Sequence, residues 1–209
     1  EVGDMIRDVA KRGFRILMWI ALPCRGWSSW QRINLSLGEE TRQKVQAERA
    51  ESLRMLEKLA VLLDDIRGLG CEVAFEWPRG AAGWQLETVR RLSRRHFSLQ
   101  CDFDGCRYGL TDVQGSALLQ KPWRVLTSCE RLREPLSRRC RHDHRHGECR
   151  AASAVRSGLY TDELVDVIGK AVTGGVNMTI LMPVLMPLDA DEAAAAPEPC
   201  TQLPAKRPS

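Results

Sequence analysis

The sequence predicts an α/β domain, a parallel sheet with flanking helices, and three observations carry that prediction. Residues 14–22 (FRILMWIAL) and 71–76 (CEVAFE) are short continuous apolar runs rich in β-formers, and each stops just before a proline or one residue short of it. Between them Leu53, Leu56, Ala60, Leu63 and Ile66 recur at helical spacing up to Gly68 and Gly70, the pattern of a long amphipathic helix. Strand, long helix, strand is a βαβ unit, whose crossover makes its two strands parallel.

Taken in order, residues 1–13 form a helix or linker ahead of the first strand, and a loop, RGWSSWQRIN, follows Cys24. Ser36 with Glu39 three residues on has the form of a capping box for the long helix. After the second strand come a turn-rich segment, a helix near residues 85–95 and two short strands at 98–103 and 123–127. Residues 131–139 read as a short helix broken or kinked by Pro135, and residues 161–171 as a last helix capped by Thr161. The domain thus runs over residues 14–174; residues 175–209, rich in Ala and Pro, have the composition of a disordered tail.

Composition narrows the function classes. A chain of 209 residues with 44% hydrophobic content can bury a core, which excludes disorder throughout. Its longest apolar-rich runs, residues 16–23 and 176–187, fall short of the ~18 residues of a membrane span, so no membrane partner is expected. The chain opens on Glu1 without a basic-then-apolar leader, which suggests a segment of a longer reading frame. In that setting eight cysteines point to an intracellular chain with reduced thiols, a metal or catalysis rather than a disulfide framework. The net charge is only +4, yet the cations are mostly Arg and crowd between positions 90 and 156, a candidate nucleic-acid face. An Arg-rich solvated surface set by genomic base composition explains the same pattern, and both readings stay open.

Parallel strands joined by a crossover helix emerge on one edge, where open α/β sheets bind ligands. Cys24 follows the first strand beside Arg25, a position that favours thiolate, and Glu76 ends the second within an apolar run, where desolvation raises a carboxyl pKa. Each alone is ordinary, a turn cysteine and a strand-end carboxylate. Delivered to one edge, they can act on one substrate.

The run LMWIALPCRGWSSW resembles the Pro-Cys nucleophile motif of the cytosine-5 DNA methyltransferases, and FEWP stands where that family has Glu-Asn-Val. Asp104–Leu110 (DGCRYGL) followed by Lys121-Pro122-Trp123-Arg124 resembles the C-x-Y-G … K-P-T segment of phage-like members and of methyltransferase-like domains in retroelement-associated proteins of dinoflagellates. The resemblance spans roughly residues 16 to 171 and implies a partial Rossmann-like, methyltransferase-like sheet. It implies that Cys24 adds to C6 of a flipped cytosine, that Glu76 holds and protonates the ring, and that Arg124 contacts the base or steadies Glu76. S-adenosylmethionine would supply the methyl group. DNA is the favoured partner, held by Arg25, Ser28, Arg107, Lys121 and Arg124, which implies a nuclear or virion-like setting. The family's glycine-rich cofactor loop is missing ahead of Phe14, so the isolated chain is expected to be incomplete and inactive in methyl transfer. Two rivals share these features: a non-enzymatic nucleic-acid-binding module of a mobile element, and a small zinc-stabilised interaction domain.

A second constellation is Cys140-Arg-His142-Asp-His144-Arg-His146-Gly-Glu-Cys149. Cys140, His144, His146 and either Cys149 or Cys106 supply four tetrahedral zinc ligands, with Cys149 taken as the fourth. The resembling retroelement proteins carry a similar Cys-x3-His-x-His run. A polar Arg/His-rich loop is the plainer reading. Trp27, Trp30, Trp77, Trp84 and Trp123 flank the motif loops, open to base stacking or to packing.

Overall fold

The continuous apolar runs of the strands dictate a sheet buried on both faces, and the computed structural model has one. It describes residues 2–149, 151–174 and 178–181. In chain order the elements are α1 (Val2–Lys11), β1 (Arg15–Ala21), α2 (Gln31–Asn34), α3 (Glu39–Asp65), β2 (Cys71–Pro78), α4 (Glu87–His96), β3 (Leu99–Asp104), β4 (Pro122–Thr127), α5 (Ala151–Arg156), α6 (Asp162–Thr173) and β5 (Met178–Leu181). The strands lie in the order β3-β4-β2-β1-β5.

Side chains alternate between the two faces as the period of two requires. Ile16, Met18 and Ile20 of β1 with Val73, Phe75 and Trp77 of β2 face α1, α3 and α4, which bring Ile6, Leu56, Leu59, Leu63, Val89 and Leu92. Leu17 and Trp19 with Ala74, Phe103, Trp123 and Val125 face the other way, against Leu164, Ile168 and Val172 of α6 and the irregular segments around Tyr108, Leu119 and Leu136. Each such aliphatic or aromatic side chain, fully buried, contributes about 1.5–3 kcal/mol against chain entropy.

The expected parallel sheet is half right. β1 pairs in parallel with β2 and with β5, but β4 runs antiparallel between β2 and β3. The cause lies in the connections. A parallel neighbour needs a crossover, and α3 supplies one between β1 and β2; residues 105–121, between β3 and β4, carry only a 3-10 turn and a short bridge, Thr111 to Leu118, so the chain turns straight back. The described fold is therefore a mixed α/β sheet with flanking helices.

Three local expectations also change. Ser36 does not cap α3; its hydroxyl donates to Ile33 O at 2.7 Å, closing α2, and Gly38 at φ 134° begins the long helix. Residues 131–139 form no α-helix: a 3-10 turn at Glu130–Leu132 leads into irregular chain. Within the segment assigned to the tail, Met178–Leu181 adds a strand beside β1; the other tail residues lie outside the described ones. Thr161 does cap α6, its hydroxyl accepting from Leu164 N at 3.2 Å. Among the described residues no helix is long and apolar enough to cross a membrane.

Candidate functional site

The β1–β2 register sets the geometry. Ala21 pairs with Glu76, so the last residue of β1 lies level with the carboxylate of β2, and Pro23-Cys24 leaves the sheet at the same edge. The loop that carries Cys24 is tied down on every side. Trp77 Nε1 donates to Leu22 O at 2.8 Å, and Cys24 O accepts from Trp27 N at 3.0 Å in a 3-10 turn. Trp27 Nε1 donates to Ser52 Oγ at 2.8 Å and Arg49 Nε to Gly26 O at 2.9 Å, docking the turn on α3. Gly26 lets the turn approach closely, since a Cβ there would come within 3.1 Å of Arg49 N on the α3 backbone.

Glu76 is buried. Its Oε2 accepts from the Tyr160 hydroxyl at 2.7 Å, and that hydroxyl accepts from Trp19 Nε1 at 2.9 Å. Its Oε1 is buried with no hydrogen-bond partner. Burial pushes the Glu76 carboxyl up, against the opposing pull of Tyr160 and the Lys121 charge. Burial also pushes the Cys24 thiol up, with the Glu76 charge adding to it and Lys121 opposing. The charges of Glu76 and Lys121 thus both act on Cys24. Tyr160, raised by burial and then by Glu76, stacks edge-on against Trp19 and Trp123. It also walls a surface cleft of about 570 Å³ with Tyr108, Leu159 and Glu163.

Several expected site residues lie elsewhere. The arginine beside Cys24 does not create a thiolate: Arg25 Nη1 points to Glu48 at 3.7 Å, and burial governs the thiol. Arg124 pairs with Trp77 across β2–β4, not with Glu76, so it emerges on the opposite face of the sheet. There it forms a two-pronged pair with Asp102 (2.8 and 2.9 Å), its guanidinium 5.9 Å from the Trp84 ring. It does not steady Glu76. Ser28 ends the 3-10 turn after Cys24, half-buried. Arg107 lies 3.9 Å from Asp143, far along the chain from the Cys24 loop. Lys121 stays with the site, its Nζ donating to Ser157 O at 2.6 Å and lying 5.1 Å from the Trp123 ring. Of the tryptophans, Trp27, Trp77, Trp84 and Trp123 are buried packing residues, while Trp30 is exposed.

Several of the crowded arginines are matched by carboxylates: Arg94 with Glu87, Arg95 with Asp64, Arg131 with Glu72, Arg133 with Glu130 and Arg139 with Asp104. Those acids are scattered along the sequence, so the local excess of Arg does not become a bare cationic face of the same strength.

A separate cluster forms beyond β3. Ligand atoms of Cys106, Cys140, His144 and His146 all lie within 4.8 Å of one another and can hold a metal ion. Cys106, not Cys149, is the fourth member. Cys149 instead turns its thiol to Ser157 Oγ at 3.6 Å. The sequence spacing favours a neighbour in the same loop, whereas the fold returns that loop to the end of β3.

The residue missed by sequence reasoning is Tyr160. Its signal was slight: a tyrosine immediately before a helix cap, with nothing in the sequence to join it to a carboxylate on β2. Comparison with known protein families, with curated proteins and with solved structures returned no match.

Proposed function

We propose that this chain is the base-handling half of a cytosine-5 DNA methyltransferase-like domain, built on a partial Rossmann-like sheet. The observation that carries the reading is the buried, unpartnered Oε1 of Glu76, level with the end of β1 and electrostatically coupled to Cys24. A buried carboxyl held protonated by its surroundings can donate a proton to a ring nitrogen and then accept from an amino group. Cytosine offers both at N3 and N4.

In this mechanism Glu76 gives its proton to N3, which draws electrons from C6. The Cys24 sulfur, having lost its proton to solvent, forms a bond to C6 while the C5–C6 π pair moves to C5. While Glu76 is protonated its charge does not add to the burial that raises the Cys24 thiol, so the thiol can ionise before Glu76 gives up its proton. Tyr160, fixed by Trp19, orients the carboxyl. In a complete enzyme S-adenosylmethionine supplies a methyl cation equivalent to C5. Among the described residues no strand runs into a glycine-rich loop and helix, since β1 leads to Pro-Cys and β2 to a proline turn, so the residues present do not fit that cofactor.

The same addition, followed by protonation at C5, loss of the original C5 proton to solvent and expulsion of the Cys24 thiolate as the C5–C6 double bond re-forms, exchanges the C5 hydrogen with solvent and needs no methyl donor. Incubation of the chain with single-stranded, cytosine-containing DNA in deuterated buffer is expected to place deuterium at C5. Cys24→Ala abolishes the exchange, and Glu76→Gln slows it about 10²–10⁴-fold. DNA binding without exchange above the protein-free rate sinks the proposal and favours a nucleic-acid-binding module of a mobile element. For the Cys/His cluster we assign zinc, since two thiolates and two imidazoles are a donor set that suits this ion.

A further inference from the structure

Residues 133–149 present a physical problem. They contain no helix or strand beyond one isolated bridge, Leu118 to His146, yet they cover the antiparallel half of the sheet with Leu136 buried. Long segments without regular structure need another restraint to stay in place.

We propose that Cys106, Cys140, His144 and His146 form a closed structural zinc centre that clamps residues 133–149 onto the end of β3. The proposal rests on the zinc assignment above and adds the role of the ion. Its first support is geometry. Cys140 Sγ lies 3.8 Å from His144 Nε2 and 3.4 Å from His146 Nε2. A tetrahedron with Zn–S and Zn–N bonds of ordinary length has edges of roughly 3.3–3.8 Å. Four protein donors fill such a tetrahedron and leave no open position for substrate, which separates a structural site from a catalytic one.

Groups around the ligands are arranged for the same end. His144 Nδ1 meets Asp143 Oδ1 at 2.7 Å, a carboxylate that fixes the ring with Nε2 turned toward Cys140. His142 N donates to Cys140 Sγ at 3.3 Å, and His142 adopts φ 56° to make the tight turn that allows it. Asp104, the last residue of β3, accepts from Cys140 N and from Arg139 Nε, both at 2.8 Å, while Asp104 N donates to Arg138 O at 3.1 Å. One buried residue therefore holds the loop ligand Cys140 directly and stands two positions before the other thiol, Cys106. The clamp also reaches the candidate base site: Gly147 N donates to Leu118 O at 2.8 Å, and Gly105 N to Lys121 O at 2.8 Å, on the segment that delivers Lys121.

The test uses the whole 209-residue chain. Elemental analysis is expected to give one zinc per chain, retained by Cys149→Ser and lost by Cys140→Ser and His146→Ala. Asp143→Asn keeps the ion with about 10–100-fold weaker affinity. Cobalt(II) in the wild-type chain gives the intense visible bands of a tetrahedral thiolate site, unchanged by azide. Trypsin cuts between Arg138 and Arg145 only after chelation. Absence of zinc, or a Cys106–Cys140 disulfide in its place, overturns the zinc assignment itself. Zinc that azide can reach, or whose removal leaves the tryptic pattern unchanged, leaves the assignment standing and overturns the closed clamp.

Discussion

Glu76 is the buried carboxyl on which the proposed chemistry turns. Its carboxyl is buried beneath the edge where β1 and β2 end, and only one of its oxygens has a partner. That arrangement leaves a signature in stability. Burial raises the Glu76 pKa above the ordinary 4.5, so between that value and the raised one the folded chain holds a proton that the unfolded chain has released. Stability from this group is therefore full below about pH 4.5 and declines as pH rises through the raised pKa. Glu76→Gln removes the decline. Urea midpoints measured from acid to mildly alkaline pH are expected to fall with pH more steeply for the wild type than for the variant; parallel curves would show that Glu76 ionises at no cost. The apolar setting of Glu76 is legible in its run of neighbours, but its partner Tyr160 lies far down the chain. Spacing alone carries no trace of a contact closed by the fold.

At the scale of elements, the β1 and β2 edge is shaped by packing beneath it. Trp77 continues β2 past Glu76, reaches back to Leu22 O and lies against Gly83 in the turn before α4. A Cβ on Gly83 would stand 2.3 Å from Trp77 Cζ3 and 3.1 Å from Trp27 Cγ, two rings that support the Cys24 loop. Gly83→Ala is expected to cost about 1–3 kcal/mol by overpacking, measured by denaturant unfolding. A neutral result would mean that Trp77 moves freely and does not hold the loop. The boundaries of these elements were close to legible: the apolar runs mark β1 and β2, and the Leu56/Leu63 stripe marks α3. What failed was local chemistry with two outlets. Ser36 can cap the helix after it or close the turn before it, and tertiary placement chose the turn.

For the whole molecule, charge is the property that links fold to partner. Many arginines of the second half bind carboxylates drawn from α3, α4, β2 and β3, and such matched pairs present little net field to a phosphate backbone. Binding to duplex DNA is accordingly expected to weaken with salt along a shallow slope, log K against log salt no steeper than about −4, the release of about four counterions. A slope near −8 would restore the arginine-rich stretch as a continuous phosphate-binding face.

The sequence by itself determined what depends on neighbours along the chain. Apolar periodicity set the α/β class, the crossover through α3 set the parallel β1–β2 pair, and the strand ends set Cys24 and Glu76 on one edge. Tertiary structure decided what depends on which distant segments meet. It reversed β4 between β2 and β3, turned Arg124 to the far face with Asp102, brought Tyr160 to Glu76, and exchanged Cys149 for Cys106 in the Cys/His cluster that can hold a metal ion. The physical reason is the same in each case. A side chain's own pattern specifies how deeply it is buried, while its partner is selected by strand direction and register, and those are set by the packing of the whole sheet.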